Sequence, residues 1–288
     1  MITRFAPSPT GHLHLGHVVN AIIVWERARG AGGLVRLRIE DHDRQRCRPE
    51  FERSILDDLE WLGFLPDLPP IDAFRAGPCD GRQSDHPGRY EAALARLIGA
   101  GLVYGCDCSR ADIARRAAGS RPPPAPSPVD PVADGELVYD GFCRHRGLAP
   151  GGGVGARVRM DPGVEAFDDA ALGIQRQEPS AQCGDLLVRE RAGLWTYQFA
   201  VTVDDMAEAI TDVIRGVDLL ASTGRQISLA RLLGRAAPPR FLHHPLIVEG
   251  GRKLSKARGD TGIGQLRQAG VEPLAVIERA RRLAGLPA

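Results

Sequence analysis

The spacing of apolar residues changes several times along the chain, and each change predicts an element. Ile2 to Ala6 reads as a short strand. Pro7 and Pro9 end it, because proline fixes φ and cannot donate a ladder hydrogen bond. Thr10 and Gly11 turn the chain, and from Gly16 to Arg29 the residues Val18, Val19, Ile22, Ile23 and Trp25 return at helical spacing. Leu34 to Glu40 alternates Leu34, Arg36 and Arg38 with Val35, Leu37 and Ile39, which predicts a second, parallel strand whose carboxyl end delivers Glu40 and Asp41. Residues 50–64 form an amphipathic helix: Phe51, Ile55, Leu59 and Leu62 share a face, and Gly63 stops it. The Pro-rich stretch 66–78 reads as a loop, and 87–100 as a helix with Tyr90, Leu94 and Leu97 in the core.

A new unit begins at Leu102. Its first apolar run leads to Ser109, which caps a basic helix carrying Arg110, Arg115 and Arg116. Residues 119–132 are rich in Pro, Ser and Ala and predict a mobile loop. Three short runs, 154–160, 167–169 and 185–189, predict strands of a small antiparallel insertion. A helix over 195–205 packs Phe199, Ala200, Val203 and Met206 inward and turns Tyr197 and Asp204 toward a cleft. Ala209 to Gly216 is a strand ending in Arg215, Ser222 caps a helix through Leu233, 240–248 is the last strand, and one or two helices follow Lys256. Strands and helices in alternation predict an α/β fold.

Composition narrows the partners. At 288 residues the chain can bury an ample core in one large domain or two smaller ones. A net charge of +1 gives no global nucleic-acid signal, so RNA contact must come from a local basic patch such as Arg279, Arg281 and Arg282. No stretch approaches the roughly 18 uncharged apolar residues of a membrane span, and the N-terminus enters a strand with no signal peptide. Six scattered cysteines do not form a disulfide framework, which favours a reducing, cytoplasmic setting. Cys47, Cys79 and Cys183 read as free thiols.

The chemistry starts at the first turn. A strand, a tight turn and a helix start bring free backbone N–H groups and a positive dipole end to one point, which suits an anion. His14 and His17 bracket it, and Gly16 between them allows close approach to the backbone. Histidines at a helix start are, alone, more often caps than catalysts. A second segment, Gly251-Arg252-Lys253-Leu254-Ser255-Lys256, lies far downstream in a loop. Glu40 sits where ligands of open α/β sheets bind, outside a strand's carboxyl end, and could pair with a substrate ammonium; the alternative is an acidic capping turn, a role that suits Asp43. Arg215, also at a strand's carboxyl end, fits a carboxylate anchor. Cys106-x-Cys108, then Cys143 and His145, suggests one zinc site of non-standard spacing.

His14-Leu15-Gly16-His17 resembles the HIGH signature of class I aminoacyl-tRNA synthetases, and Lys253-Leu254-Ser255-Lys256 resembles KMSK. The wording Arg4-Phe5-Ala6-Pro7-Ser8-Pro9-Thr10-Gly11 narrows the resemblance to the glutamyl branch, and the segments around Glu40, Tyr197 and Arg215 follow in that branch's order. Full glutamyl-tRNA synthetases continue for about another domain after KMSK, whereas about thirty residues remain here. The chain therefore resembles the shortened glutamyl-queuosine tRNA(Asp) synthetase family.

The resemblance implies a Rossmann-type parallel sheet with an inserted zinc-bearing α+β subdomain and no anticodon-binding domain. The division it implies is 1–100 and 191–248 for the two halves of the catalytic domain, 101–190 for the insertion, and 249–288 for the K-L-S-K loop and closing helices. The implied activity is ATP-dependent activation of L-glutamate without tRNA, then transfer to queuosine in the anticodon loop of tRNA(Asp), by a cytoplasmic monomer with no membrane partner. The alternatives are a discriminating glutamyl-tRNA synthetase without its own anticodon domain, and a zinc-containing RNA-binding protein with a decayed site. The implied catalytic residues are His14, His17, Lys253 and Lys256, with His14, Gly16, His17 and Lys256 on ATP and Mg²⁺ accompanying it. Arg4, Phe5, Ala6, Pro7, Ser8, Glu40, Tyr197 and Arg215 are the implied glutamate site. One structural Zn²⁺ would be held by Cys106, Cys108, Cys143 and Tyr139, with His145 as the other candidate for the fourth ligand.

Overall fold

The computed structural model describes residues 1–119, 137–249, 252–253 and 262–287. In chain order the elements are β1 (Ile2–Phe5), α1 (Leu15–Gly30), β2 (Leu34–Leu37), α2 (Pro49–Leu62), α3 (Ile71–Ala76), α4 (Pro87–Gly99), β3 (Val103–Cys106), α5 (Arg110–Gly119), β4 (Gly155–Val158), β5 (Glu165–Asp169) and β6 (Gly173–Gln177). They continue with α6 (Pro179–Cys183), β7 (Leu186–Arg189), α7 (Tyr197–Ala207), β8 (Asp212–Gly216), α8 (Thr223–Leu232), β9 (Arg240–His244), β10 (Val248–Glu249), β11 (Arg252–Lys253), α9 (Ile263–Gln268) and α10 (Pro273–Ala284). The chain divides into two compact units, one of residues 1–86, 209–217 and 239–288, the other of 87–208 and 218–238. Among the described residues no helix is long and apolar enough to cross a membrane.

The first unit is built on parallel strands. β1 pairs with β2, Arg4 opposite Arg36 and Phe5 opposite Leu37. Thr211 N donates to Ile2 O at 2.9 Å and Arg4 Nη1 to Ile214 O at 3.4 Å, so β8 runs beside β1 in the same direction. β8 pairs in parallel with β9, Arg215 opposite His243. The order is β2–β1–β8–β9, with α1 as the crossover from β1 to β2. Parallel strands covered by helices are apolar on both faces, and Val35, Leu37 and Ile39 are fully buried with Val18, Val19, Ile22 and Val24 of α1 and Ile55 and Leu59 of α2. Val276 and Ala280 bring α10 into the same core. Pro49 in the first turn of α2 and Gly63 at φ 78° after its end are the expected start and stop chemistry. Three details differ from the sequence expectation: the last strand, expected over 240–248, ends at His244 and is followed by the separate β10. The Pro-rich stretch contains α3, and Asp43 caps no helix: its carboxylate accepts from Gln45 N and Arg46 Nε in the turn before α2.

In the second unit β4 is central to an antiparallel sheet, paired with β3 on one side and β7 on the other. The expected three-strand insertion is thus corrected, because 167–169 belongs to β5, which pairs with β6 as a hairpin. Tyr90, Leu94 and Leu97 of α4 pack with Phe199, Ala200 and Leu229 as the core. Asp204 does not face a cleft: it is fully buried, accepting from Arg89 Nη1 (2.7 Å) and Tyr90 Oη (2.8 Å), because a buried carboxylate needs paired donors. Ser222 precedes α8 without a side-chain capping bond; its hydroxyl instead accepts from Gln198 Nε2 at 2.8 Å. Apart from its first residue, the 119–132 loop lies outside the described residues.

Candidate active site

From β1 the chain winds outward to β2 on one side and later to β8 and β9 on the other. Such a reversal leaves a crevice outside the strands' carboxyl ends. Arg4, next to last in β1, and Arg215, next to last in β8, flank that point, each 4 % exposed. Arg4 is tied to β8 through the Ile214 carbonyl, and Arg215 Nε contacts His243 Nε2 at 3.1 Å.

Glu40 follows β2 at the same end of the sheet and is buried. Its backbone N donates to Pro7 O at 3.1 Å, and Arg38 N donates to Phe5 O at 3.0 Å, so the segment after β1 and the end of β2 are stitched together. Arg38 Nη2 lies 3.2 Å from Glu40 Oε1, and Arg38 is only 1 % exposed. Asp41 is taken up locally, by Arg44 Nη1 at 2.7 Å and Ser84 N at 2.8 Å. Ser8 is half-buried, with Oγ 3.9 Å from Cys47 Sγ, which in turn lies 3.8 Å from Glu40 O. Burial pushes the Cys47 thiol up, and Asp41 and Asp43 add to the rise. Ala6 and Pro7 form the backbone between these groups. Phe5 points into the core, edge-on to Trp25 at 5.6 Å.

The turn into α1 has the geometry its composition suggests. His14 is the N-cap, its Nδ1 accepting from Gly16 N at 3.1 Å, and His17 Nδ1 accepts from His14 N at 3.1 Å. A neutral ring accepting at Nδ1 carries its proton on Nε2, so both rings are held as Nε2–H donors, centres 3.9 Å apart. Gly16 leaves room for the His14 ring: a Cβ would lie 2.9 Å from His14 Cε1, so a larger residue would have to displace the ring. Lys253 pairs through its backbone with Val248 in the β10–β11 hairpin; its side chain, and all of Lys256, lie outside the described residues. Tyr197 opens α7 in the second unit.

That second unit also gathers the thiols. The sulfurs of Cys106, Cys108 and Cys143 lie within 4.8 Å of one another, with Cys108 and Cys143 3.5 Å apart. Tyr139 Oη is 3.5 Å from Cys106 Sγ and accepts from Cys143 N at 2.8 Å. Tyr139 is held by its own backbone, whose N donates to Cys183 O at 3.1 Å; the neighbouring Gly184, at φ 65°, has no room for a Cβ, which would fall 2.0 Å from Tyr139 O. Each sulfur takes one arginine: Arg157 on Cys106 (3.3 Å), Arg116 on Cys108 (3.4 Å) and Arg146 on Cys143 (3.3 Å). Burial pushes Cys106 up, but Tyr139 and Arg157 more than offset it and leave the thiol below its usual range; Cys108 is pushed up to about 11, mainly by burial. His145 is exposed and outside the cluster.

Comparison with known proteins decides the family. The model of tRNA synthetases class I (E and Q), catalytic domain, matches residues 1–287. The chain belongs to the class I glutamyl/glutaminyl tRNA synthetases. Glutamyl-Q tRNA(Asp) synthetase of Bordetella bronchiseptica is 45 % identical over 265 residues, 90 % of this chain and 75 % of that protein. The protein of the same name from Rhodobacter capsulatus is 40 % identical over 99 % of this chain and 100 % of its own length. Among solved structures, glutamate–tRNA synthetase of Elizabethkingia anophelis superposes with a TM-score of 0.72 at 30 % identity, over 90 % of this chain. The chain spans about half of that enzyme, 53 %. Methionyl-tRNA synthetase of Mycobacterium tuberculosis, at 11 % identity and TM-score 0.50, shares the fold.

Two residues of this class I synthetase escaped the sequence reading. Arg38 stands two positions before Glu40, and the period of two along an extended chain puts both on one side; that spacing was the available signal. His243 meets Arg215 only through the β8–β9 register, for which the sequence carries no local signal.

Proposed function

We propose that this chain activates L-glutamate with ATP, without needing tRNA, and transfers the glutamyl group to queuosine in the anticodon loop of tRNA(Asp). The observation that carries the reading is that Arg4, Arg38, Glu40 and Arg215 are all buried, at or just beyond the carboxyl ends of β1, β2 and β8. Glutamate brings two carboxylates and one ammonium, and charges taken from water need opposite partners. Arg4 and Arg215 receive the carboxylates, with Arg4 on the side chain. Glu40 receives the ammonium, and Arg38 holds the Glu40 carboxylate in place. Ser8 adds a hydroxyl. The names of the relatives at 40–45 % identity support the same substrate and RNA.

In activation a glutamate α-carboxylate oxygen bonds to the α-phosphorus of ATP, and the bond from that phosphorus to the bridging oxygen breaks. Pyrophosphate leaves with Mg²⁺. Such a step depends on positioning and charge stabilisation. His14 and His17 donate from Nε2 toward phosphate oxygens at the α1 N-terminus, and Lys256, with Lys253, neutralises the transferring phosphates. Cys106, Cys108, Cys143 and Tyr139 would hold one Zn²⁺, which would tie the end of β3 to the 139–143 segment. The donor set fits: zinc–sulfur bonds of about 2.3 Å in a tetrahedron imply sulfurs about 3.8 Å apart, close to the spacing observed. When bound, the ion supplies structure rather than chemistry.

The test is glutamate-dependent pyrophosphate–ATP exchange in the absence of RNA, followed by transfer to queuosine-bearing tRNA(Asp) and to tRNA(Glu). Exchange and transfer to the former alone are expected. No exchange rejects the activation reading, and transfer to tRNA(Glu) instead makes the chain a discriminating glutamyl-tRNA synthetase.

A further inference from the structure

Away from the substrate arginines, the first unit holds a run of polar contacts that the chemistry above leaves unused. Asp58 on α2 is fully buried. Ser54 Oγ, one turn earlier, donates to its Oδ2 at 3.5 Å, and the same hydroxyl lies 2.9 Å from His12 Nδ1. The His12 ring stands edge-on to Phe51 at 5.0 Å. From α9, Arg267 Nη2 comes within 3.4 Å of Asp58 Oδ1 and 3.8 Å of Asp57 Oδ2.

Backbone packing follows the same line. Ile263 N donates to Leu13 O at 2.8 Å, and Ile263 is fully buried. A Cβ on Gly262 would lie 3.3 Å from His12 Cβ, and one on Gly264 would lie 3.5 Å from Ser54 Oγ and 3.7 Å from Asp58 Oδ1. Residues 12–13, 54–58 and 262–267 therefore form one packed cluster. Leu13 directly precedes His14, and Ile263 is the seventh residue after Lys256.

We propose that His12, Ser54, Asp58 and Arg267 are positioning residues for the ATP step, holding the chain that leaves the K-L-S-K segment against the chain that enters the His14–His17 turn. The inference rests on the adenylation reading. Its physical motive is that the cluster is a poor device for stability alone. Burial raises the Asp58 carboxyl to about 6 despite Arg267 and Ser54, so the pair does not recover the cost of desolvation. An apolar side chain of similar volume would serve packing as well or better. What the polar run adds is direction: hydrogen bonds and an ion pair fix the register of three segments, and phosphoryl-transfer catalysis is sensitive to displacements of about 1 Å.

The variants are Arg267→Gln, Arg267→Lys and Asp58→Asn. Each is measured for KM of ATP and of glutamate in exchange, for direct Mg–ATP affinity by calorimetry without glutamate, and for its thermal midpoint. Arg267→Gln and Asp58→Asn are expected to weaken ATP binding and raise its KM about tenfold, with KM for glutamate within about twofold of wild type. Arg267→Lys, which keeps the charge, is expected to recover most of the loss. Unchanged ATP constants in both variants overturn the inference. So does a joint rise of both KM values in step with a lower thermal midpoint, the mark of a structural role. Should wild type show no exchange, the adenylation reading fails by itself, and calorimetry still decides: ATP affinity equal in wild type and variants, or absent from all, overturns the positioning role.

Discussion

At the scale of single residues, charge burial sets the sharpest expectations. Asp58 is faced by Arg267, Ser54 and its neighbour Asp57, which is itself paired with Arg75 at 2.9 Å. Its carboxyl titrates at about 6 in the fold against 3.8 in the open chain. The folded state thus binds this proton more tightly. The resulting stability is fully present below pH 3.8 and is lost as pH rises through 6, about 3 kcal/mol in all. Urea unfolding at pH 4 and pH 7 is expected to show that part of the fall in wild type, and its disappearance in Asp58→Asn. In the crevice, Arg4 predicts rejection of glutamine, because a neutral amide leaves a buried guanidinium poorly paired, a loss of roughly 1.5–3 kcal/mol. Exchange with glutamate against glutamine should favour glutamate at least tenfold in wild type and lose much of that preference in Arg4→Gln; an unchanged preference removes Arg4 from the side-chain pocket.

At the scale of elements, two turns separate function from stability. Alanine at position 16 would normally favour a helix by roughly 0.5–1 kcal/mol over glycine. Here its Cβ would press on the His14 ring at 2.9 Å. Gly16→Ala is therefore expected to raise the KM for ATP several-fold without lowering the thermal midpoint; a lower midpoint with normal ATP use would contradict the ring-displacement account. The thiol cluster joins the end of β3 to the 139–143 segment across a long stretch of chain. One zinc per chain is expected by elemental analysis. A chelator should release it and lower the thermal midpoint, and Cys143→Ser should abolish binding while Tyr139→Phe only weakens it. Protein without zinc, with Cys106, Cys108 and Cys143 all freely titratable under native conditions, would refute the site.

At the scale of the whole molecule, the expectation on RNA choice is the one tested by transfer to tRNA(Asp) against tRNA(Glu), and a second concerns the K-L-S-K segment. The chain spans 53 % of a glutamate–tRNA synthetase yet the full length of a protein named for tRNA(Asp). Lys256→Ala should cut exchange by orders of magnitude while leaving glutamate affinity nearly unchanged, because the proposed function assigns the lysine to the phosphates and not to the amino acid. Direct glutamate titration beside the exchange assay checks this, and near-normal exchange in the variant would remove Lys256 from the mechanism.

What the sequence determined by itself was local. Proline after β1, glycine at 16 and 63 and the 3.6-residue spacing of α1 and α2 act within a few residues, so the strand–turn–helix unit and both histidines could be read directly. Cys106, Cys108 and Cys143 were legible as candidate donors because zinc selects residue types, and the same argument offered His145 as the fourth; Tyr139 came only with the family resemblance. Long-range pairing was decided only in the tertiary structure. Arg4 meets the Ile214 carbonyl across 210 positions, and Arg215 meets His243 through a strand register. The same holds for Asp204, which became a buried acceptor rather than a cleft residue once Arg89 and Tyr90 were packed on it, and for 167–169, which paired with β6 instead of joining β4 and β7. Periodicity says which side of an element is buried; which other element covers it depends on pairing between segments far apart in the chain, and Arg4, Arg38, Glu40 and Arg215 come to the carboxyl ends of neighbouring parallel strands only after those pairings are made.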